Sequence, residues 1–148
     1  MSLMLVSAFL TLLFPVVSQT EPIIVHIPTS KAISLAQAIA RDEGYDTRNE
    51  KVYFFDLLTT SGGKPLLQGY TSIGFYINGN IRSSISISET TGQAIDMNSC
   101  EIFDYPDLRL FQDEMLKLSK ARIKTPRDLA DDAACTSPKI LKTPESRP

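Results

Sequence analysis

The spacing of apolar residues predicts a helix near the start of the chain. Between a possible cap at Thr29 and Ser30 and a helix-ending Gly44, apolar side chains recur three and four residues apart, with polar side chains between them. This pattern predicts an amphipathic helix over residues 30–43 that packs closely against a sheet. Its repeating apolar positions are Ala32, Leu35, Ala36, Ile39 and Ala40.

Three further runs are typical of strands. Residues 21–28 are apolar and contain two prolines, which are tolerated at the edge of a sheet, so we expect an edge strand there. Residues 52–58 are β-branched and aromatic and predict a second strand. Residues 94–103, which follow a turn at residues 89–93, predict another.

The clearest pattern lies in residues 70–88, where apolar and polar residues alternate on either side of Asn78-Gly79, a strong hairpin signal. A two-residue loop would place the isoleucines of the two strands on opposite faces of the sheet. A three-residue loop that includes Asn80, or an equivalent bulge, aligns the isoleucines of both strands on one face. We favour one of these two geometries. Alternatively, Tyr70 and Tyr76 share a face with the isoleucines of the second strand. The pairs expected in the favoured register are Ile77 with Ile81 and Ile73 with Ile85.

Two helices are predicted after the last of these strands. Asp104 can cap the first of them, and Pro106 suits its first turn. Thr125 can likewise cap a short third helix, and Pro126 suits the first turn of that helix. The apolar stripe of the longer helix is Leu108, Phe111, Met115 and Leu118.

This order of elements predicts one α+β domain over residues 21–135. An antiparallel sheet built around the hairpin has an apolar face that needs a cover, and the first helix is the nearest one. We therefore expect Leu35 and Ile39 to be buried, with the C-terminal helices following the sheet. Residues 136–148 contain three prolines and few apolar side chains, and predict a disordered tail.

Residues 1–18 predict a secretory signal peptide, because they form an apolar run without a charged side chain. Val16 and Ser18 suit the positions before a signal-peptidase cut, so we expect cleavage after Ser18, with Gln19 as the first residue of the exported protein. Cleavage after Thr20 is the second choice. An uncleaved membrane anchor is the alternative, although a span takes about 20 apolar residues. The protein is therefore expected to be secreted or periplasmic, with no membrane partner after cleavage.

The cysteines Cys100 and Cys135 predict one disulfide bond in an exported protein. The bond would close a loop spanning 35 residues. In the chain-entropy model, such a loop stabilises the fold by about 3–4 kcal/mol. Two unlinked thiols are the alternative. A metal site is not expected, because the two cysteines are far apart and His26 is the one histidine.

Composition and motifs argue against several classes of function. The net charge of −2 gives no electrostatic reason to expect binding to nucleic acid or to anionic lipid. The glycine-rich residues 61–65 lack the phosphate-binding pattern, and no motif positions a nucleophilic serine. We expect no cofactor and no catalytic residue. A small hydrolase is the alternative, with His26 as the base or with Glu89 and Asp96 as a carboxylate pair.

The middle of the chain resembles a known family. The segment FYINGNIRSSISISETTGQAI has a strand, a glycine turn, an alternating strand and a Thr-Gly turn into a short strand, which is similar to the PepSY-like pattern. Its turn glycines are Gly79 and Gly92, and SLAQAIARDEGY resembles the preceding helix. The resemblance covers about residues 30–96 and implies a small exported α+β domain with a PepSY-like or cystatin-like roll. Because some such domains accompany secreted peptidases as inhibitory parts, it implies a non-catalytic module.

The sequence thus favours an exported binding or regulatory module whose partner is another polypeptide, such as a secreted peptidase or an envelope protein. An open edge of the sheet could accept an extended peptide. A solvated outer face is the other interpretation of the serine-rich strand, and a structural protein of the envelope is a further alternative function. The serines in question are Ser83, Ser84, Ser86 and Ser88.

Overall fold

A computed structural model describes residues 20–48 and 53–142 of the chain. The predicted signal peptide and its cleavage site at Ser18 and Gln19 lie outside the described residues. Among the described residues, no helix is both long enough and apolar enough to cross a membrane.

The described residues form three α-helices and six β-strands. The helices are α1 (Thr29–Asp42), α2 (Pro106–Ser119) and α3 (Pro126–Asp132). The strands are β1 (Tyr53–Leu57), β2 (Tyr70–Ile77), β3 (Asn80–Ser88), β4 (Ala94–Asp96), β5 (Glu101–Asp104) and β6 (Lys139–Lys142).

All six strands belong to one sheet, in the order β1-β2-β3-β4-β5-β6. Neighbouring strands from β1 to β5 are antiparallel, whereas β6 runs parallel to β5. The predicted α+β class, with an N-terminal helix on the sheet and helices after it, is confirmed. The expectation of a purely antiparallel sheet is wrong at β6.

The hairpin between β2 and β3 turns through two residues, Asn78 and Gly79, whose φ angles are 51° and 77°. The three-residue loop is therefore wrong. A bulge at Arg82 instead adds one residue to β3 and shifts the register of the hairpin. This bulge is the predicted alternative to a three-residue loop. Beyond it, the apolar residues of the two strands lie on a common face. The pairs on either side of the bulge are Tyr76–Ile81 and Phe75–Ser83. Of the two expected pairs, Ile73–Ile85 is present, whereas Ile77 pairs with Asn80 and not with Ile81.

One face of the sheet packs on α1 and α2. Leu35 and Ile39 of α1 are buried in this layer, as the helical spacing predicts. Each such side chain contributes about 1.5–3 kcal/mol when it leaves water, so this layer is the main core. Its largest contributions from the sheet and α2 come from Ile73, Ile85, Ile87, Phe103, Leu108, Phe111 and Met115.

The serine-rich face of β3 is buried. Strand β3 lies in the middle of the sheet, and α3 with its flanking residues forms a second cluster on this face around Tyr70, Ile95 and Leu129. The hydroxyl groups of Ser72 and Ser86 hydrogen-bond to each other at 2.8 Å, which satisfies them away from water. Both interpretations of these serines, a solvated face and a peptide-accepting edge, are therefore wrong. Ser84, Ser86 and Ser88 are buried on this face, whereas Ser83 is buried on the opposite face, where it is paired with Phe75.

The disulfide explains the unexpected strand at the edge of the sheet. Cys100 and Cys135 are bonded, with their Cα atoms 5.7 Å apart, and this joins the end of α3 to the start of β5. The N–H of Lys139 then donates to the carbonyl of Cys100 at 3.0 Å. The prediction of a disordered tail is therefore wrong for residues 139–142, whereas residues 143–148 lie outside the described residues.

The N-terminal segment and the predicted strand over residues 94–103 also differ from expectation. Residues 21–28 form no strand, because Ile23 and Val25 each make a single backbone bond to a helix end or a turn. Residues 94–103 are split into β4 and β5. The Asp96 carboxylate accepts the backbone N–H of Asn98 at 2.7 Å, which stabilises a turn in place of a continuous strand.

The predicted start of α3 agrees with the structure, whereas that of α2 is one residue off. Thr125 caps α3 through a reciprocal pair of hydrogen bonds with Asp128, and Pro126 begins the helix. Tyr105, not Asp104, stands at the cap position of α2. The Asp104 carboxylate instead accepts a hydrogen bond from Nε of Arg109 at 2.6 Å.

Candidate binding surface

An acid-lined pocket lies at the end of the sheet near the β2–β3 turn. Its residues come from the end of α1, from β3, and from the turn between β4 and β5, so the sheet register brings them together. The cavity has a volume of about 240 Å³. Its lining contains Glu43, Tyr45, Arg82, Ser83, Asp96, Asn98, Ser99 and Glu101, and we call it the acidic pocket.

Asp96 forms the fixed floor of the acidic pocket. Its carboxylate accepts hydrogen bonds from the hydroxyl of Ser83 and from the backbone N–H groups of Asn98 and Ser99. The residue is buried, and charged groups at such positions require this kind of hydrogen bonding. Asp96 therefore has a structural partner for each oxygen, and its charge is held in place.

Tyr45 and Arg82 form the rim of the acidic pocket. Nε of Arg82 donates to the Tyr45 hydroxyl at 2.8 Å. The Tyr45 ring packs edge-on against Phe75, with the ring centroids 5.1 Å apart. Tyrosine and arginine are enriched in protein–protein interfaces, because they combine contact area with directed hydrogen bonds. The rim thus has the composition of an interface while Arg82 stays exposed.

The electrostatics of the pocket centre on Glu43. Burial, and then the nearby carboxylates of Glu101 and Asp96, raise the pKa of Glu43 to about 7, against the opposing influence of Arg82. Burial and the same acidic neighbourhood raise the pKa of Tyr105 to about 12. An added cation would favour the charged form of Glu43, so the pocket is suited to a lysine or arginine side chain.

A second cleft contains the candidate catalytic histidine. It has a volume of about 160 Å³ and includes His26, Thr71 and Glu89 beside apolar residues such as Leu58. In a hydrolytic triad the imidazole lies between the hydroxyl and the carboxylate. Here the Thr71 hydroxyl donates directly to Glu89 at 2.8 Å, and Nδ1 of His26 is 3.9 Å from the same carboxylate. The His26 side chain is 86% exposed.

The other residues considered from the sequence do not form a reactive cluster. Asp96 pairs with Ile85 at one end of the β3–β4 ladder, and Glu89 lies beyond Ile87 at the other end, so the proposed carboxylate pair is not assembled. Gly79 and Gly92 occupy turns with positive φ, and Cys100 and Cys135 form the disulfide. Within the described part of the chain, no group of three or more potential ligands could hold a metal ion.

Sequence reasoning missed the acidic pocket because its members are distant along the chain. Glu43 and Glu101 are 58 residues apart in the chain, and a pocket between them has no local period or motif. One signal was available in the Asp96-Met97-Asn98-Ser99 segment, whose composition favours a turn. That signal identifies the turn between β4 and β5 but not the acids that face it.

Comparison with known proteins gives one informative match. No family model matches the chain, and no curated protein matches it. Among solved structures, the fold is similar to a chain in the structure of a type VI secretion system effector–immunity complex from Pseudomonas protegens. The TM-score is 0.62 at 19% identity, and the match covers 75% of this chain and 91% of that chain. This likeness establishes a shared fold, whereas the PepSY-like resemblance stays a prediction.

Proposed function

We propose that this protein is an exported, non-catalytic binding module that acts as an immunity protein: it binds a toxic polypeptide and blocks it. A basic side chain of that partner enters the acidic pocket. The observation that carries the proposal is the pocket itself, in which Glu43, Asp96 and Glu101 share one lining and Arg82 is the one opposing charge among the described residues of that lining.

The fold supports the class of function. The similar chain comes from an effector–immunity complex, and the match extends over 91% of that chain. A shared fold does not transfer a function by itself, so the argument depends on the pocket. A partner cation placed between Glu43 and Glu101 would replace a repulsion by two attractions, which favours association.

The arrangement around His26 supports the non-catalytic part of the proposal. The Thr71 hydroxyl is engaged with Glu89 rather than with the imidazole, so no base is positioned to activate it. The resemblance to inhibitory domains of secreted peptidases suggests a different partner. The immunity interpretation is preferred because the similar chain comes from an effector–immunity complex and the match covers 75% of this chain and 91% of that chain.

A competition experiment tests the proposal in the cells that make the protein. Cells from which the gene has been deleted are mixed with the parent strain and grown together. We expect the deletion strain to lose, and wild-type protein supplied in trans to restore it. Glu101→Lys, which places a positive charge in the acidic pocket, should fail to restore growth.

Glu114→Lys provides the matched control, because Glu114 is exposed on α2 and lies outside the acidic pocket. This variant should restore growth as the wild type does, provided both variants accumulate to equal levels. A deletion strain that competes as well as its parent would contradict the immunity function. Full rescue by Glu101→Lys would contradict the role of the acidic pocket.

A further inference from the structure

A basic and apolar patch lies where the chain enters the domain. Residues 117–124 carry four positive charges and no negative one, in a chain whose net charge is −2. Lys124 is engaged with Asp132, whereas Lys117, Lys120 and Arg122 are exposed. Within the described residues, no ion pair joins these three side chains to an acid.

Exposed aliphatic side chains lie beside these cations. The backbone N–H of Ile23 donates to the carbonyl of Ser119 at 2.9 Å, which places the N-terminal segment against the last turn of α2. Ile23 is 55% exposed, Ile24 65% and Leu118 59%. We call Ile23, Ile24, Lys117, Leu118, Lys120 and Arg122 the entry patch.

The charge of the entry patch is concentrated at the end of α2. Asp113 and Glu114 lie one turn before Lys117, and Glu21 precedes Ile23 in the chain. Beyond Lys117 no acid follows until Asp128, so the positive charge and the exposed aliphatic side chains coincide at the helix end. This local excess of positive charge is not apparent from the net charge of the whole chain, which is −2.

We propose that the entry patch binds the surface of an anionic membrane. Lysine and arginine reach phosphate headgroups while their aliphatic stems, together with isoleucine and leucine, contact the acyl boundary. Nucleic acid would satisfy the cations but would leave Ile23, Ile24 and Leu118 without a partner. The combination of charges and aliphatic side chains therefore favours lipid.

The position of the patch in the chain supports the same partner. The apolar residues 1–17 end only a few residues before Ile23. If this run is retained as an anchor, it holds the entry patch at the bilayer. If it is cleaved after Ser18, the new α-amino group adds a positive charge four residues before Ile23 in the chain.

Co-sedimentation with vesicles tests this inference on the exported protein, purified in the form in which the cell processes it. Wild-type protein should bind vesicles of phosphatidylglycerol and phosphatidylcholine, and should not bind vesicles of phosphatidylcholine alone. Each basic residue at such a surface contributes about five-fold to binding, so K117Q/K120Q/R122Q should weaken it about 100-fold. I23S/I24S/L118S should also weaken binding, at low and at high salt.

The control variant R41Q/K64Q/K139Q changes the net charge by the same amount on other elements and should bind as the wild type does. Circular dichroism of each variant verifies that it is folded. Absence of wild-type binding to the anionic vesicles, or an equal loss in the control, would overturn the inference. Unchanged binding by I23S/I24S/L118S would do the same and would indicate a purely electrostatic partner, such as an acidic protein.

Discussion

Replacing Glu43 by glutamine should stabilise the fold at neutral and basic pH but not at acid pH. In the folded protein, burial and the carboxylates of Glu101 and Asp96 raise the pKa of Glu43 from 4.5 to about 7. Below about pH 4.5 the group is protonated in the folded and unfolded states alike, so it has little effect on the free energy of unfolding. As the pH rises towards 7, the unfolded chain ionises first, and the folded state becomes less stable. Glutamine is uncharged at every pH and removes this dependence.

The size of the effect follows from the same values. A pKa increase from 4.5 to about 7 corresponds to about 3 kcal/mol above neutrality. Because Glu43 is only half-buried and the pocket opens to water, screening reduces the effect to about 1–2 kcal/mol. Urea denaturation should therefore show E43Q to be more stable than the wild type by this amount at about pH 8, with little difference at about pH 4.

Glu114→Gln on the exposed face of α2 is the control for loss of one acidic charge, and it should change stability by less than about 0.5 kcal/mol at both pH values. Equal stability of E43Q and the wild type at about pH 8, or an equal gain at both pH values, would refute the electrostatic reasoning. The gain in stability should be accompanied by weaker binding of the partner. The Glu43 carboxylate that destabilises the folded state is also the group that would attract a cation of the partner.

Three further predictions concern the fold and the histidine. Replacing Cys100 and Cys135 by serine should lower the free energy of unfolding by about 3–4 kcal/mol, measured by urea denaturation against the oxidised wild type; a loss below about 1 kcal/mol would contradict a closed loop. Gly92→Ala should destabilise more than Gly79→Ala in the same assay, because both positions have positive φ, but only at Gly92 would the added Cβ lie 3.1 Å from the backbone of α2. Equal losses would indicate that contact with α2 is unimportant. His26→Ala should leave folding and partner binding unchanged, since the side chain is 86% exposed; loss of an activity in a variant that remains folded by circular dichroism would favour the hydrolase.

Local patterns in the sequence predicted the helices and the hairpin, because these elements depend on neighbouring residues. The 3.6-residue spacing identified Leu35 and Ile39 as core positions, and Thr125 with Pro126 marked the start of α3. The conflict of register in residues 70–88 correctly indicated that a bulge could be needed. Its position at Arg82 depends on packing across the sheet.

The elements that the sequence did not predict are decided by contacts between distant segments. Alternating serines indicate a solvent-exposed face, but α3 packs on Tyr70, Ile95 and Ile102 on that side of the sheet, and the disulfide joins Cys135, after α3, to Cys100. The same bond brings the following residues beside β5, where they pair in parallel. Neither the burial of this face nor the pairing of β6 is visible in the local spacing of apolar and polar residues. For the same reason, the acidic pocket could not be predicted from Glu43 or Glu101 alone.

Site-specific photo-crosslinking in the producing cells tests the central claim most directly. A photoreactive residue is placed at Tyr45, on the rim of the acidic pocket, and in a separate protein at Arg127, on α3 and outside the pocket. The account predicts that Tyr45 captures one polypeptide that Arg127 does not, that this capture disappears in Glu101→Lys, and that the captured polypeptide is toxic when it is expressed without this protein. Capture of the same proteins from both positions, or a captured partner whose expression is harmless, would contradict it.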